Sequence, residues 1–351
     1  MISLLSLTCW SCLDKIDLEV PAGLGSSIAL QGRLVLGDPS IVTLNSSQIF
    51  DFTAESRQPI TVKDPTLIDE SGNEFVLEAL GLGDYIGVIP QGSDFEVAVG
   101  KSYKMRVTTF DGRTYESILD PLLEAPQPES LNASFIEADI INNQNDFETE
   151  TQLQFSISTP IRTGNQSGSL LWELSRTFKI TDLPESFVDQ PTICYVTENV
   201  SLDNISTVDP QDISTDRIEN FPLYAQPVDY RFAEGYYFTA IQYSLSEQAY
   251  EYWTNINEII QREGNMFEAP AGKIQSNFVN IDDPTDDVFG FFYASDTAAL
   301  HFSVDSTIVG NFNNFCPPDV PPPPGGGCPV LICCDCTQVQ GSATEPPSFW
   351  K

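Results

Sequence analysis

The sequence predicts a mainly β protein: an N-terminal Ig-like or prealbumin-like β-sandwich, then a larger β-rich domain with one amphipathic helix. Three observations carry that expectation. β-Branched and apolar residues recur in short runs, broken by turn residues at spacings of roughly eight to twelve positions. A helical period shows itself clearly only once. The 351 residues exceed one typical domain and suffice for two, each able to bury its own core.

In chain order, SIALQGRLVL (27–36) and SIVTLN (40–45) flank Gly37-Asp38-Pro39, so two antiparallel strands are expected there. ITVKD, EFVLEAL and the segment Gly83 to Ile89 continue the strand pattern. In KSYKMRVTTFDGRTYES, Asp111-Gly112 lies between two alternating runs, the strongest hairpin signal in the chain. This sandwich domain is placed at 24–123, and EAPQPES, with two prolines and no period, reads as a linker.

A second domain is placed at 131–312. SFIEADIIN, TQLQFSIST, SLLWELSRTFKIT, TICYVTENVSL and the aromatic-rich RFAEGYYFTAIQYSLS read as its strands. The helix is expected at about 246–262. Ser244 and Glu247 have capping-box spacing, Ala249, Tyr250, Trp253, Ile256 and Ile260 follow the helical period, and Gly264 suits the stop. From 313 to 351 the chain is rich in Pro, Gly and Cys, and disulfides rather than regular elements are expected to order it.

Charge narrows the function classes. Sixteen Lys and Arg against 50 Asp and Glu give a net charge of −34, which repels phosphate backbones, so nucleic acid is not an expected partner. Hydrophobic residues make up 41% of the chain and aromatic residues 11%, enough apolar surface for folded cores. No apolar run approaches the roughly 20 residues of a membrane-spanning helix.

The opening MISLLSLTCWSC is short and apolar and runs into cysteine, then into LDKIDLEV. That is the outline of a lipoprotein signal peptide over residues 1–12, with Cys12 as the acylated residue after the small Ser11, and Cys9 as the alternative. No basic residue precedes the apolar run. Cys194, Cys316, Cys328, Cys333, Cys334 and Cys336 remain, an even six. In an exported chain they read as disulfides, with Cys194 reaching the tail; the rival metal cluster lacks paired zinc spacing.

Other candidate sites compete with plainer roles. The single histidine, His301, is weighed as a structural residue rather than a catalytic one. Asp282, Asp283, Asp286 and Asp287 are candidate calcium ligands, without the EF-hand register. Tyr236, Tyr237, Tyr250 and Trp253 belong to an aromatic cluster suited to a sugar or peptide platform, or to core packing. Paired carboxylates for glycoside hydrolysis are a further class, although 50 acids make the signal unspecific.

Several segments in this order resemble a known family. They are Cys12 with DLEVP, GLGDYIG, GKSYKMRVTTFDGRTYES, CYVTENVS, SEQAYEYW, GNMFEAPAGKIQSN, DDPTDDVFGFFYAS and the closing PPSFW. The family is that of Bacteroidota outer-membrane lipoproteins grouped as domain of unknown function four-two-four-nine. The resemblance implies a lipid-anchored protein on the cell-surface face of the outer membrane. Its implied partners are a TonB-dependent SusC-like barrel and a SusD-like lipoprotein, and the resemblance carries no catalytic residues and no cofactor. Thr297 and Ser306 lie in Asp-Ser/Thr motifs resembling the O-glycosylation signal of that phylum. The expected role is therefore a non-enzymatic binding or assembly subunit, with a glycan hydrolase, adhesin or spacer as alternatives.

Overall fold

The computed structural model describes residues 27–48, 58–141, 146–162, 168–182, 191–200, 205–261, 274, 276–310, 316 and 331–351. The expected leader with Cys12 and the tail residue Cys328 lie outside them. The architecture is mainly β, four sheets forming two stacked pairs.

Ile28–Val35 pairs antiparallel with Ser40–Gln48 around the expected turn, Ile28 opposite Gln48 and Val35 opposite Ile41. Ile28, Leu30 and Leu34 are buried while Gln31 is exposed and Arg33 half-buried, so the period of two sets an apolar face inward. With Asp84–Ile89 and shorter strands this makes a seven-stranded sheet. A six-stranded sheet faces it, containing Val62–Asp69 and the hairpin Ser102–Thr109 and Thr114–Ser117. Gly112 turns that hairpin at φ +96°, a conformation glycine adopts without a Cβ penalty. Leu30, Val42 and Leu44 from one sheet meet Leu67, Met105 and Val107 from the other in a single core.

The second sandwich pairs a three-stranded sheet, Ser130–Ile141, Phe147–Pro160 and Arg217–Pro227, with a six-stranded one. Ser169–Thr181 runs through the middle of the latter, between Tyr236–Leu245 on one side and Ile193–Asn199 and Ser206–Val208 on the other. Phe155 of the small sheet stacks on Phe238 of the large one at 4.1 Å between centroids. In the run LLWEL, Leu170, Trp172 and Leu174 face this core, and Leu171 faces the opposite way.

That opposite face receives the helix Glu247–Gln261, whose Ala249 and Tyr252 pack with Leu171, Leu245 and Phe291. Its cap differs from the capping-box expectation. Ser246 Oγ accepts from the backbone N–H of Ala249 at 3.2 Å, whereas Ser244 sits in the preceding strand and donates its hydroxyl to the Leu123 carbonyl. Ser246, directly before the helix, has Ala249 rather than Glu or Gln three residues on, so the capping-box spacing points to Ser244 instead.

The expected division at 123 and 131 needs one correction. Residues 278–295, assigned by the sequence reading to the second domain, return to the first. Phe278–Asn280 pairs with Thr114–Ser117, and Val288–Phe289 and Phe292–Ser295 run parallel to Ile28–Val35. Parallel pairing needs no hairpin between the partners, so no local turn signal betrays it. The chain continues from there into Thr297–Val304, an edge strand of the second sandwich, and so stitches the two sandwiches together. Gly290 makes the return feasible: at φ +92°, a Cβ there would lie 2.0 Å from the Leu30 carbonyl oxygen.

The tail also departs from expectation. It contains short regular pieces, among them Ser342–Ala343, which pairs with Ile193–Asn199. Disulfides join Cys194 to Cys336 and Cys316 to Cys333, and Cys334 is disulfide-bonded as well. Phe349 and Trp350 lie against Tyr237, at 5.5 and 4.8 Å between centroids.

Candidate functional site

The seam between the sandwiches holds a compact polar cluster. Arg33 projects from the outer face of Ile28–Val35 and meets Glu173 of Ser169–Thr181, with Nη1 to Oε1 at 2.5 Å. The other oxygen of Glu173 accepts from the Tyr243 hydroxyl at 2.7 Å. Burial raises the Tyr243 phenol well above its ordinary range, with Glu173 adding to the shift, so it stays a donor. The guanidinium lies 5.1 Å from the centre of the Tyr243 ring, and Tyr293 is Arg33's register partner on the returning strand. A bidentate-capable cation, a carboxylate and a phenol thus satisfy one another where the two sandwiches meet.

Two adjoining cavities open beside this cluster, of about 210 and 270 Å³. Gln31, Thr43, Asn45 and Tyr293 line the first, while Leu171, Ile205 and Ile256 line the second; Glu173 and Trp253 line both. The Trp253 ring stands edge-on to Tyr293 at 6.0 Å. Its indole N–H is shut off from solvent and has no hydrogen-bond partner among the described residues. Among the described residues Glu173 is the sole carboxylate that lines the two cavities.

The aromatic cluster divides between these surroundings. Trp253 lines the cavities and Tyr250 packs with the helix contacts. Tyr236 is fully buried, stacked on Phe232 at 4.2 Å and bonded to Gln226. Tyr237 is covered by Phe349 and Trp350. The four therefore do not form one platform, because alternation along Tyr236–Leu245 sends neighbouring tyrosines to opposite faces.

The aspartates of 282–287 do not converge either. Asp286 accepts from Tyr115, Asn280 and Arg113; burial opposes its charge, but these partners hold its carboxyl below the usual range. Asp283 closes on its own turn through Thr285, and Asp282 and Asp287 complete no site. Among the described residues no group of three or more His, Cys, Asp or Glu is arranged to hold a metal. His301 stacks on Phe349 at 4.0 Å and pairs with the Thr239 hydroxyl, and burial lowers its pKa. Thr297 begins an edge strand half-buried, and Ser306 lies in the short helical turn Ser306–Val309.

Sequence reasoning missed Arg33, Glu173 and Tyr293, and placed Tyr243 only in the aromatic cluster. A lone basic residue on an alternating strand reads as a solvated face. The only local hint was a glutamate inside the apolar run LLWEL.

Comparison with known families decides the relationship: the model described as Domain of unknown function (DUF4249) matches residues 15–300. The chain belongs to the DUF4249 family. The matched region spans both sandwiches, the helix and the returning strands, so the seam and its cluster fall inside the family's extent. No curated protein matches this DUF4249 chain. The cysteine-stapled tail from residue 313 onward lies beyond the matched residues.

Proposed function

We propose that this DUF4249 chain is a non-enzymatic accessory subunit, a lipoprotein held on the cell-surface face of the outer membrane through Cys12. In this reading it serves a TonB-dependent SusC-like transporter, together with a SusD-like lipoprotein, as a ligand-presenting or assembly component. The observation that carries the binding role is the seam cleft: aromatic and amide side chains surround a carboxylate already satisfied by Arg33 and Tyr243. Hydrolysis of a glycoside calls for two carboxyls flanking the bond, and among the described residues the cleft lining supplies one. The joined cysteines support an exported chain, because disulfides persist in oxidising compartments. The apolar leader ending at Ser11-Cys12 supports acylation.

The anchoring half of this reading is tested by feeding cells an alkyne-bearing fatty acid and fractionating them. Wild-type chain is expected to carry label in the outer-membrane fraction. Cys12→Ser is expected to lose the label and the fraction; label retained on Cys12→Ser removes the assignment.

A further inference from the structure

We infer that the seam cleft binds a neutral saccharide, seating a pyranose ring against Trp253 and the Arg33–Glu173 pair; this rests on the ligand-presenting reading above. An anionic ligand meets a chain of net charge −34 and an arginine whose charge Glu173 already balances. Among the described residues a cation or metal meets a single carboxylate there, already bonded to Arg33 and Tyr243. A neutral peptide is ordinarily recognised by adding to a strand edge. Here Ile28–Val35 and Ser169–Thr181 are each paired on both sides, so their backbone groups are already used.

Recognition therefore falls to side chains. Gln31 and Asn45 offer amides that both donate and accept, Thr43 adds a hydroxyl, and the ion pair presents fixed donors and acceptors beside them. That mixture matches a ring of hydroxyls, each both donor and acceptor. The partly exposed Trp253 ring matches the flat apolar face that such rings also have. The second cavity, walled by Leu171, Ile205 and Ile256, extends the site beyond a single ring.

Isothermal titration calorimetry of the full chain against glucose, galactose, mannose, N-acetylglucosamine and their common disaccharides tests this, with tryptophan fluorescence as a second readout. Saturable binding of at least one sugar is expected, with a fluorescence change that disappears in Trp253→Phe. Thr43→Trp, which fills the first cavity from an outward-facing strand position, and Glu173→Gln are each expected to weaken binding by about tenfold or more. Both are expected to retain the wild-type circular dichroism spectrum. Absence of saturable binding across the panel overturns the proposal, as does sugar affinity unchanged in Thr43→Trp. Those failures leave lipidation and transporter co-purification untouched, so they are distinguishable from failure of the accessory reading.

Discussion

Arg33 and Glu173, one from each sandwich, form an ion pair across the seam at 2.5 Å. Their side chains are 30% and 38% exposed, so solvent screens the pair and its geometry matters more than its energy. A double-mutant cycle of Arg33→Ala and Glu173→Gln, followed by urea unfolding, is expected to return a coupling of about 1 kcal/mol or less. A coupling several times larger contradicts a partly solvated pair.

Asp120 behaves differently because it is 1% exposed. It accepts from Ser246 Oγ at 2.5 Å and from the Ala294 N–H at 2.8 Å, joining the first sandwich to the helix start and the returning strand. Burial outweighs these donors and pushes its carboxyl from 3.8 up to about 6. The folded state thus holds this proton more tightly than the unfolded chain. The resulting stabilisation is full below about pH 4 and lost as pH rises through 6, amounting to about 3 kcal/mol. Stability measured from pH 4 to 7 on wild type and Asp120→Asn isolates the contribution: the difference between the two curves is expected to slope through this window. A flat difference removes Asp120 as its source.

The strands that lead from the Asp120 contact were the least legible part of the sequence. Both early hairpins and the helix announced themselves through turn residues and period, since their partners are local. The return of Phe292–Ser295 to Ile28–Val35 is parallel and joins distant segments, and nothing near either strand encodes it. The same distance hid the site. Arg33, Glu173 and Tyr293 become neighbours only once that return is made, whereas Trp253, on a locally legible helix, was singled out from sequence.

Gly290 tests the return directly. Gly290→Ala forces a left-handed alanine against the Leu30 carbonyl, while Gly72 has a similar φ of +86° with nothing within 4 Å. Gly72→Ala is expected to cost about 1 kcal/mol and Gly290→Ala at least twice that by chemical denaturation. Equal costs contradict the close approach.

The Cys194–Cys336 bridge closes a separation of 142 residues. Replacing both with alanine is expected to cost about 4 kcal/mol, most of it through a freer unfolded chain. Limited proteolysis is expected to cut the tail near Ser342–Ala343 in the variant and spare it in the wild type; equal protection contradicts a tail held by this bridge.

The most direct test of the accessory role is a mild-detergent pulldown of the native chain tagged at its C-terminus, with mass spectrometry of its partners and of the N-terminal peptide. The account predicts a SusC-like barrel with a SusD-like lipoprotein, and a lipidated Cys12. Recovery of the chain alone, with Cys12 unmodified, contradicts it.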